Sequence, residues 1–198
     1  MLQYLVIVWG IINLAFTSFY IREILKGRTK PNRVTWLMWS IAPLIAFTAA
    51  FSDGIRRAAL PVFMSWFAPL LVFLSSFINK KAYRKLKKID YSCGISSVLA
   101  LVLWRITKEP AIAIIFAILS DTFAAIPTVI KGWKHPKTES IAPFIGWLFS
   151  ASTSFFALKM FNFTELAFPI YLILMNIILI STISFGKARK KKKNNKIQ

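Results

Sequence analysis

Acidic residues are scarce in this chain: 7 Asp and Glu stand against 26 Lys and Arg, a formal net charge of +19 over 198 residues. Cysteine is nearly absent. Cys93 stands alone, so no intrachain disulfide forms and the redox compartment is left open. The one histidine, His135, lies in a basic loop, no metal-ligand cluster is spelled out, and no serine has a base at motif spacing. An enzyme, a metal and a cofactor are therefore not expected. Strand-type alternation is also missing, which argues against a β-barrel. Above all there is no polar exterior to draw on: 57% of the residues are hydrophobic and the mean hydropathy is +0.59.

What is present is a series of apolar runs, about 18 to 25 residues each, separated by short charged clusters. Inside a bilayer every backbone N–H and C=O has to be satisfied within the segment, so a helix of about 20 residues is the expected form of each run. The runs predict seven membrane helices over 2–25, 34–52, 58–79, 91–108, 110–131, 141–160 and 166–186. The fourth contains Gly94 and ends near Trp104-Arg105. The start, MLQYLVIVWG, has no basic n-region and no cleavage site, so the first helix is expected to be retained. Asn162-Phe163-Thr164 spells a glycosylation triplet but sits tight against two helices, where chance explains it.

Seven helices put the termini on opposite sides, and the basic residues choose which. With the N-terminus outside, 21 Lys and Arg fall on the cytoplasmic side: five from Arg22 to Arg33, six from Lys80 to Lys88, Lys131, Lys134 and Lys137, and seven from Lys187 to Lys196. Only Arg56, Arg57, Arg105, Lys108 and Lys159 fall outside. The positive-inside rule then sets the orientation of a multi-pass protein of the cell (inner) membrane. The same arrangement accounts for the net charge through anionic lipid at the basic loops and tail, each lysine contributing about 1 kcal/mol near such a surface. Nucleic acid is not needed as a partner for the tail KARKKKKNNK.

A shift of 108 residues lays the first three helices on the last three. Lys26 meets Lys134, Trp39 meets Trp147, Phe47 meets Phe155, Pro61 meets Pro169, and Ser76-Phe77 meets Ser184-Phe185. Identities are sparse, but one gapless shift aligns three helix ends, both basic loops and the proline opening each third helix. An odd number of helices per half, with one inverting helix between, makes parallel repeats about an axis along the membrane normal. The expected divisions are 1–79 (first repeat), 80–109 (basic loop and linker helix), 110–186 (second repeat) and 187–198 (polybasic tail). The fold class is an all-α membrane protein of 3+1+3 plan.

Asn13 lies halfway along the first helix, Asp121 halfway along the fifth and Asn176 halfway along the seventh, and the shift pairs Asn13 with Asp121. An ionised carboxylate at the bilayer centre costs about 2.5–3.5 kcal/mol on insertion scales. Asp121 is thus a candidate acceptor for a substrate hydroxyl or a candidate proton carrier; the plainer alternative is a packed side chain bonded to Asn13, Thr17 or Thr122. Ser150, Ala151, Ser152 and Ser154 are small enough to allow close helix approach. Proline inside a helix removes one hydrogen bond and crowds the previous turn, at about 3 kcal/mol in water-exposed hosts, and Pro127 interrupts the fifth run in this way.

Pro127-Thr128, the Lys131, Lys134 and Lys137-Thr138-Glu139-Ser140-Ile141 segment after it, and Trp147 together resemble the motif of the PQ-loop proteins, the family of the SWEET sugar transporters and the half-size SemiSWEETs. The first repeat departs from the motif: Phe19 or Tyr20 occupies the proline position, and Pro31 and Pro43 come later. The resemblance implies a transporter of a small polar solute, a sugar in that family, working by alternating access. It implies hinge roles for Pro127, Pro143 and Pro43, and a substrate site containing Asn176, Trp39 and Trp147, which join Asn13 and Asp121. Ala68 stands at the repeat position of Asn176, which leaves the pocket asymmetric. Trp39 and Trp147 lie under two turns from the loop, where an aromatic is equally an interface anchor. Alternatives are a nicotinamide-riboside-type vitamin carrier, which shares the 3+1+3 plan, and a seven-helix receptor that does not transport. A homo-oligomer is compatible with all three.

The charge count predicts that a reporter fused after Gln198 is cytoplasmic and one at Met1 is external. Labelling of the fused tail from outside intact cells would refute the seven-span topology.

Overall fold

Each helix near the basic loops starts or stops for a local chemical reason. The first helix, α1 (Leu2–Leu25), ends in a Schellman turn: Gly27 takes the left-handed conformation at φ 72°, its N–H reaches the carbonyl of Ile24, and the N–H of Arg28 reaches that of Glu23. A second helix, α2 (Arg33–Ser52), starts at Asn32, whose Oδ1 accepts from the N–H groups of Val34 and Thr35 at 3.0 and 3.3 Å. Next, α3 (Leu60–Ser75) leads to a short 3-10 turn at Lys80–Ala82. In α4 (Lys88–Ile106), Asp90 in the first turn accepts from the N–H of Lys87 at 2.5 Å. Pro110 opens α5 (Pro110–Lys134), at a position where its missing N–H has no helical partner to lose. A second 3-10 turn, Pro136–Thr138, precedes α6 (Ala142–Thr153), and α7 spans Phe163–Asn194. This computed structural model describes residues 2–52, 60–82, 84–107, 109–153, 155 and 161–195. Among them are seven α-helices and no strand.

The boundaries differ from the sequence expectation at several ends: α3 stops at Ser75 and not 79, α5 runs to Lys134 and not 131, α7 starts at Phe163 and not 166, and two further differences have a local cause. Helix α4 begins at Lys88, not 91, because the Asp90 cap draws the basic residues into its first turn. Helix α7 does not stop at 186 but runs on to Asn194, so residues 187–194 are not a free tail. Lys, Arg and Ala favour helix, and at about 1.5 Å per residue the 32 residues reach about 48 Å, well beyond a bilayer core of about 30 Å. Asn162 caps α7 through the N–H of Glu165 at 3.0 Å, which is its structural role. Arg56, Arg57, Lys108 and Lys159, counted above as external, and Met1, Lys196 and Ser154 lie outside the described residues.

The helices form a ring. α1 packs on α3 and α6, α2 on α3 and α5, and α7 on α5 and α6, while α4 lies against α5 and α2. Adding 108 turns α1, α2 and α3 into α5, α6 and α7. Under that exchange the α1–α3, α2–α3 and α1–α6 neighbours become α5–α7, α6–α7 and α5–α2 neighbours, each of which is present. Backbones come close between α5 and α7, where a Cβ on Gly186 would lie 2.8 Å from the carbonyl oxygen of Gly132. α6 makes a close approach at Gly146, where a Cβ would meet Phe16 at 3.1 Å.

Polarity is turned outside in. Asn13, Thr17, Thr35, Ser97, Ser120, Thr128 and Asn176 are buried, while Ile95, Leu99, Val102 and Ile106 on α4 and Leu174, Ile177 and Phe185 on α7 face outward. Among the described residues two helices are long and apolar enough to cross a membrane: Ile114–Lys134, with hydropathy 1.7, and Glu165–Lys192, with hydropathy 2.3. The core helix of a soluble protein passes the same test, but here only 33% and 22% of the two apolar windows are buried.

Gly186→Val is expected to force α7 off α5 and to destabilise by about 1–3 kcal/mol, the range for overpacking. The measurement is the unfolding temperature of the purified protein in detergent. An unchanged temperature would mean that this close approach is dispensable.

Candidate functional site

Two tryptophans at i and i+3 on α2, Trp36 and Trp39, share a helix face, and Phe144 and Trp147 repeat that spacing on α6. The four rings meet where the two halves of the ring of helices join. Trp39 and Trp147 stand edge to face at 5.1 Å, Trp36 lies 5.4 Å from each of them, and Trp36 and Phe144 are 6.5 Å apart. Tyr20 of α1 completes the group, 5.1 Å from Trp36. Trp39 with Trp147, and Trp36 with Phe144, are pairs 108 residues apart, and residues related by a two-fold operation meet only near its axis. Each well-placed ring pair contributes about 0.5–1.5 kcal/mol beyond its burial. The indole N–H groups of Trp36 and Trp39 are buried with no hydrogen-bond partner.

On the loop side of these rings sits a buried charge pair. Lys131, near the end of α5, donates all three ammonium protons: to Glu139, to the carbonyl of Lys30 and, at 3.0 Å, to the carbonyl of Thr138. Tyr20 donates to the other carboxylate oxygen of Glu139. Thr128 donates to Thr35 at 3.0 Å, and the N–H of Lys30 to the Thr138 carbonyl at 3.0 Å, so α1, α2, α5 and the loop before α6 are tied together. A second lock lies beside the first. Asp90 is wholly buried and accepts from Asn32 at 2.7 Å and from Arg84 at 3.2 Å.

The residues expected at mid-depth are placed separately. Asp121 is bonded to none of Asn13, Thr17 and Thr122; it accepts from the hydroxyl of Tyr171 on α7 at 2.7 Å. Thr122 lies within reach of both the Ile118 carbonyl, at 2.7 Å, and the Tyr171 hydroxyl, at 3.1 Å. Asn13 is buried and receives a long bond of 3.5 Å from Thr17. Asn176 donates to the Leu172 carbonyl at 2.8 Å, which leaves its own buried Oδ1 without a partner. Pro127 and Pro43 stand inside their helices, whereas Pro143 is the second residue of α6, where it breaks no helical hydrogen bond.

Sequence reasoning thus assembled part of this region and missed part. Trp39 and Trp147 do meet, and they are joined by Trp36 and Phe144, which were not singled out, and by Tyr20, which was noted only for standing at the proline position. Lys131 is no exposed loop charge but a buried member of an ion pair. Two acids lying in otherwise basic loops, Asp90 and Glu139, were the available signal: a lone carboxylate among lysines commonly answers one of them. Tyr171 carried no such signal, since its repeat counterpart is Phe63. Chemically, the ring cluster offers flat aromatic faces and two indole donors, and Asn176, elsewhere on α7, offers an amide acceptor. Among the described residues no group of three or more His, Cys, Asp or Glu stands ready for a metal ion.

Glu139→Gln is expected to leave Lys131 as an uncompensated buried cation and to cost about 3–5 kcal/mol. Pairing it with Lys131→Met should recover much of that loss, and Tyr20→Phe alone should cost about 1 kcal/mol. Unfolding temperatures measured on all of these variants check the lock; additive losses in the double variant would show that the two side chains do not interact.

Compared with family models, with curated proteins and with solved structures, the chain matched none.

Proposed function

We propose that the chain is a multi-pass membrane carrier that moves a small polar solute by alternating access, with the N-terminus outside and the basic loops in the cytoplasm. The observation that carries this reading is the meeting of residues 108 apart, Trp39 with Trp147 and Trp36 with Phe144, at the junction of two similarly arranged helix triplets. Two pseudo-equivalent triplets joined at one seam can rock about it, opening one mouth as the other closes. The apolar outer face and the two long apolar helices support insertion in a bilayer, because soluble monomers rarely expose apolar patches beyond a few hundred Å².

In this scheme the five rings and the two polar locks close the cytoplasmic mouth, and the solute waits deeper, near Asn13, Asn176 and Asp121. Opening requires the rings to part and the Tyr20–Glu139–Lys131 bonds to rearrange. Pro127 lies one turn before Lys131 on α5, so bending at the proline would move the lysine directly. The unpartnered groups, the indoles of Trp36 and Trp39 and the Asn176 oxygen, supply donors and an acceptor to a solute rich in hydroxyls. A sugar satisfies that chemistry, in keeping with the resemblance to the PQ-loop and SWEET proteins. The density of aromatic rings favours a second reading, a carrier of a flat-ring vitamin of the nicotinamide-riboside type that stacks between tryptophans.

Flux into proteoliposomes tests the proposal, with sugars and nicotinamide riboside as separate probes. Trp39→Ala with Trp147→Ala should lower uptake of the true substrate at least tenfold. Pro127→Ala should slow flux more than it weakens binding. Asp121→Asn should abolish accumulation driven by a pH gradient while keeping solute exchange, if Asp121 carries the proton. Binding without flux in the wild-type protein would point instead to a receptor.

A further inference from the structure

The C-terminal part of α7 has no place in the carrier scheme, yet it is built into the molecule. It is held against the α5–α6 connection at Gly186, whose Cβ position lies 2.8 Å from the Gly132 carbonyl and 3.0 Å from Pro136. One turn on, the guanidinium of Arg189 lies 4.4 Å from the ring centre of Trp133. Lys187, Lys191 and Asn195 follow at steps of four, so they form one stripe along the helix. Across from that stripe stands Lys137, on the Pro136–Thr138 turn, and between them opens a cleft of about 400 Å³ lined by these four residues.

We infer that this cleft binds a phosphate group, carried by a lipid headgroup or by a soluble phosphorylated molecule. Three lysines and an asparagine line it, largely through their aliphatic stems, with their polar heads free to turn toward a ligand, and among the described residues no carboxylate does. Lysines one helical turn apart repel, and a third lysine from another element adds to the repulsion, so the arrangement is stabilised by an anion placed among them. A polybasic helix end would by itself give only diffuse attraction to a surface. Here the glycine contact and the Arg189–Trp133 stack fix the stripe opposite Lys137, and two elements face each other across a defined volume. Phosphate oxygens are the strong acceptors that match such donors. This binding depends on the docked end of α7 and not on solute transport.

The test uses the full-length protein in neutral detergent and in phosphatidylcholine nanodiscs. Pyrophosphate is titrated in the first case and phosphatidic acid in the second, with phosphatidylserine as the lipid comparison. Saturable binding of one equivalent of at least one phosphate probe is expected by calorimetry or native mass spectrometry. Binding of pyrophosphate alone assigns a soluble ligand, and preference for phosphatidic acid over phosphatidylserine in nanodiscs assigns a lipid. The triple variant K137Q/K187Q/K191Q should bind about tenfold more weakly or worse, whereas K26Q/K80Q/K85Q, with the same change in net charge, should stay within about twofold. Lys137→Gln alone leaves α7 untouched and should still weaken binding about threefold, which keeps the test decisive if the triple variant misfolds. Equal losses in the two triple variants, or no saturable binding of either probe to the folded wild type, would overturn the inference.

Discussion

Lys131 and Glu139 are eight residues apart in sequence and both almost wholly buried, and the loop side of the molecule is organised around them. A buried cation is tolerated only when its protons are all answered, and Lys131 meets that condition with a carboxylate and two carbonyls. One of those carbonyls belongs to Lys30, in the first half of the chain. The remaining oxygen of Glu139 takes the hydroxyl of Tyr20, also in the first half. The pair therefore cannot be satisfied unless the two halves are docked. It also places the α5–α6 connection, which in turn presents Pro136 to Gly186 and Lys137 to the stripe on α7.

The aromatic group lies directly behind that pair and shares Tyr20 with it. Rings supply area and shape, but they leave polar atoms behind: two buried indole N–H groups have no partner. The neighbouring bonds are otherwise well satisfied, from Thr128–Thr35 to the three acceptors of Lys131. Unmet donors next to a complete network are an expensive arrangement if they serve packing alone. The unpartnered oxygen of Asn176 has the same character on α7.

The two halves are alike in arrangement and unlike in chemistry. Where the second half holds its loop with Lys131 and Glu139, the first holds its own with Asn32, Asp90 and Arg84, drawing on α4 and the loop before it. Asp121 has taken Tyr171 as partner, and its repeat equivalent Asn13 has Thr17. The buried carboxylates follow no repeat either: Asp90 stands in the first turn of α4 and Glu139 in the loop before α6.

The helical class and most helix ends were legible in the chain because they rest on local and periodic features: apolar runs of fixed length, caps such as Asn32, a turn at Gly27, and clustered lysines. Trp39 and Trp147 were legible for the same reason, as equivalent positions of a repeat. Partnership across the fold was not. That Tyr20 would reach Glu139 over 119 positions, that Tyr171 and not Asn13 would meet Asp121, and that residues 187–194 would continue α7 and dock on Trp133 depended on which faces came together. Sequence sets each helix's period and therefore its faces. The angles and depths at which those faces meet come from packing seven helices at once, and only there is a buried lysine told apart from a basic loop residue.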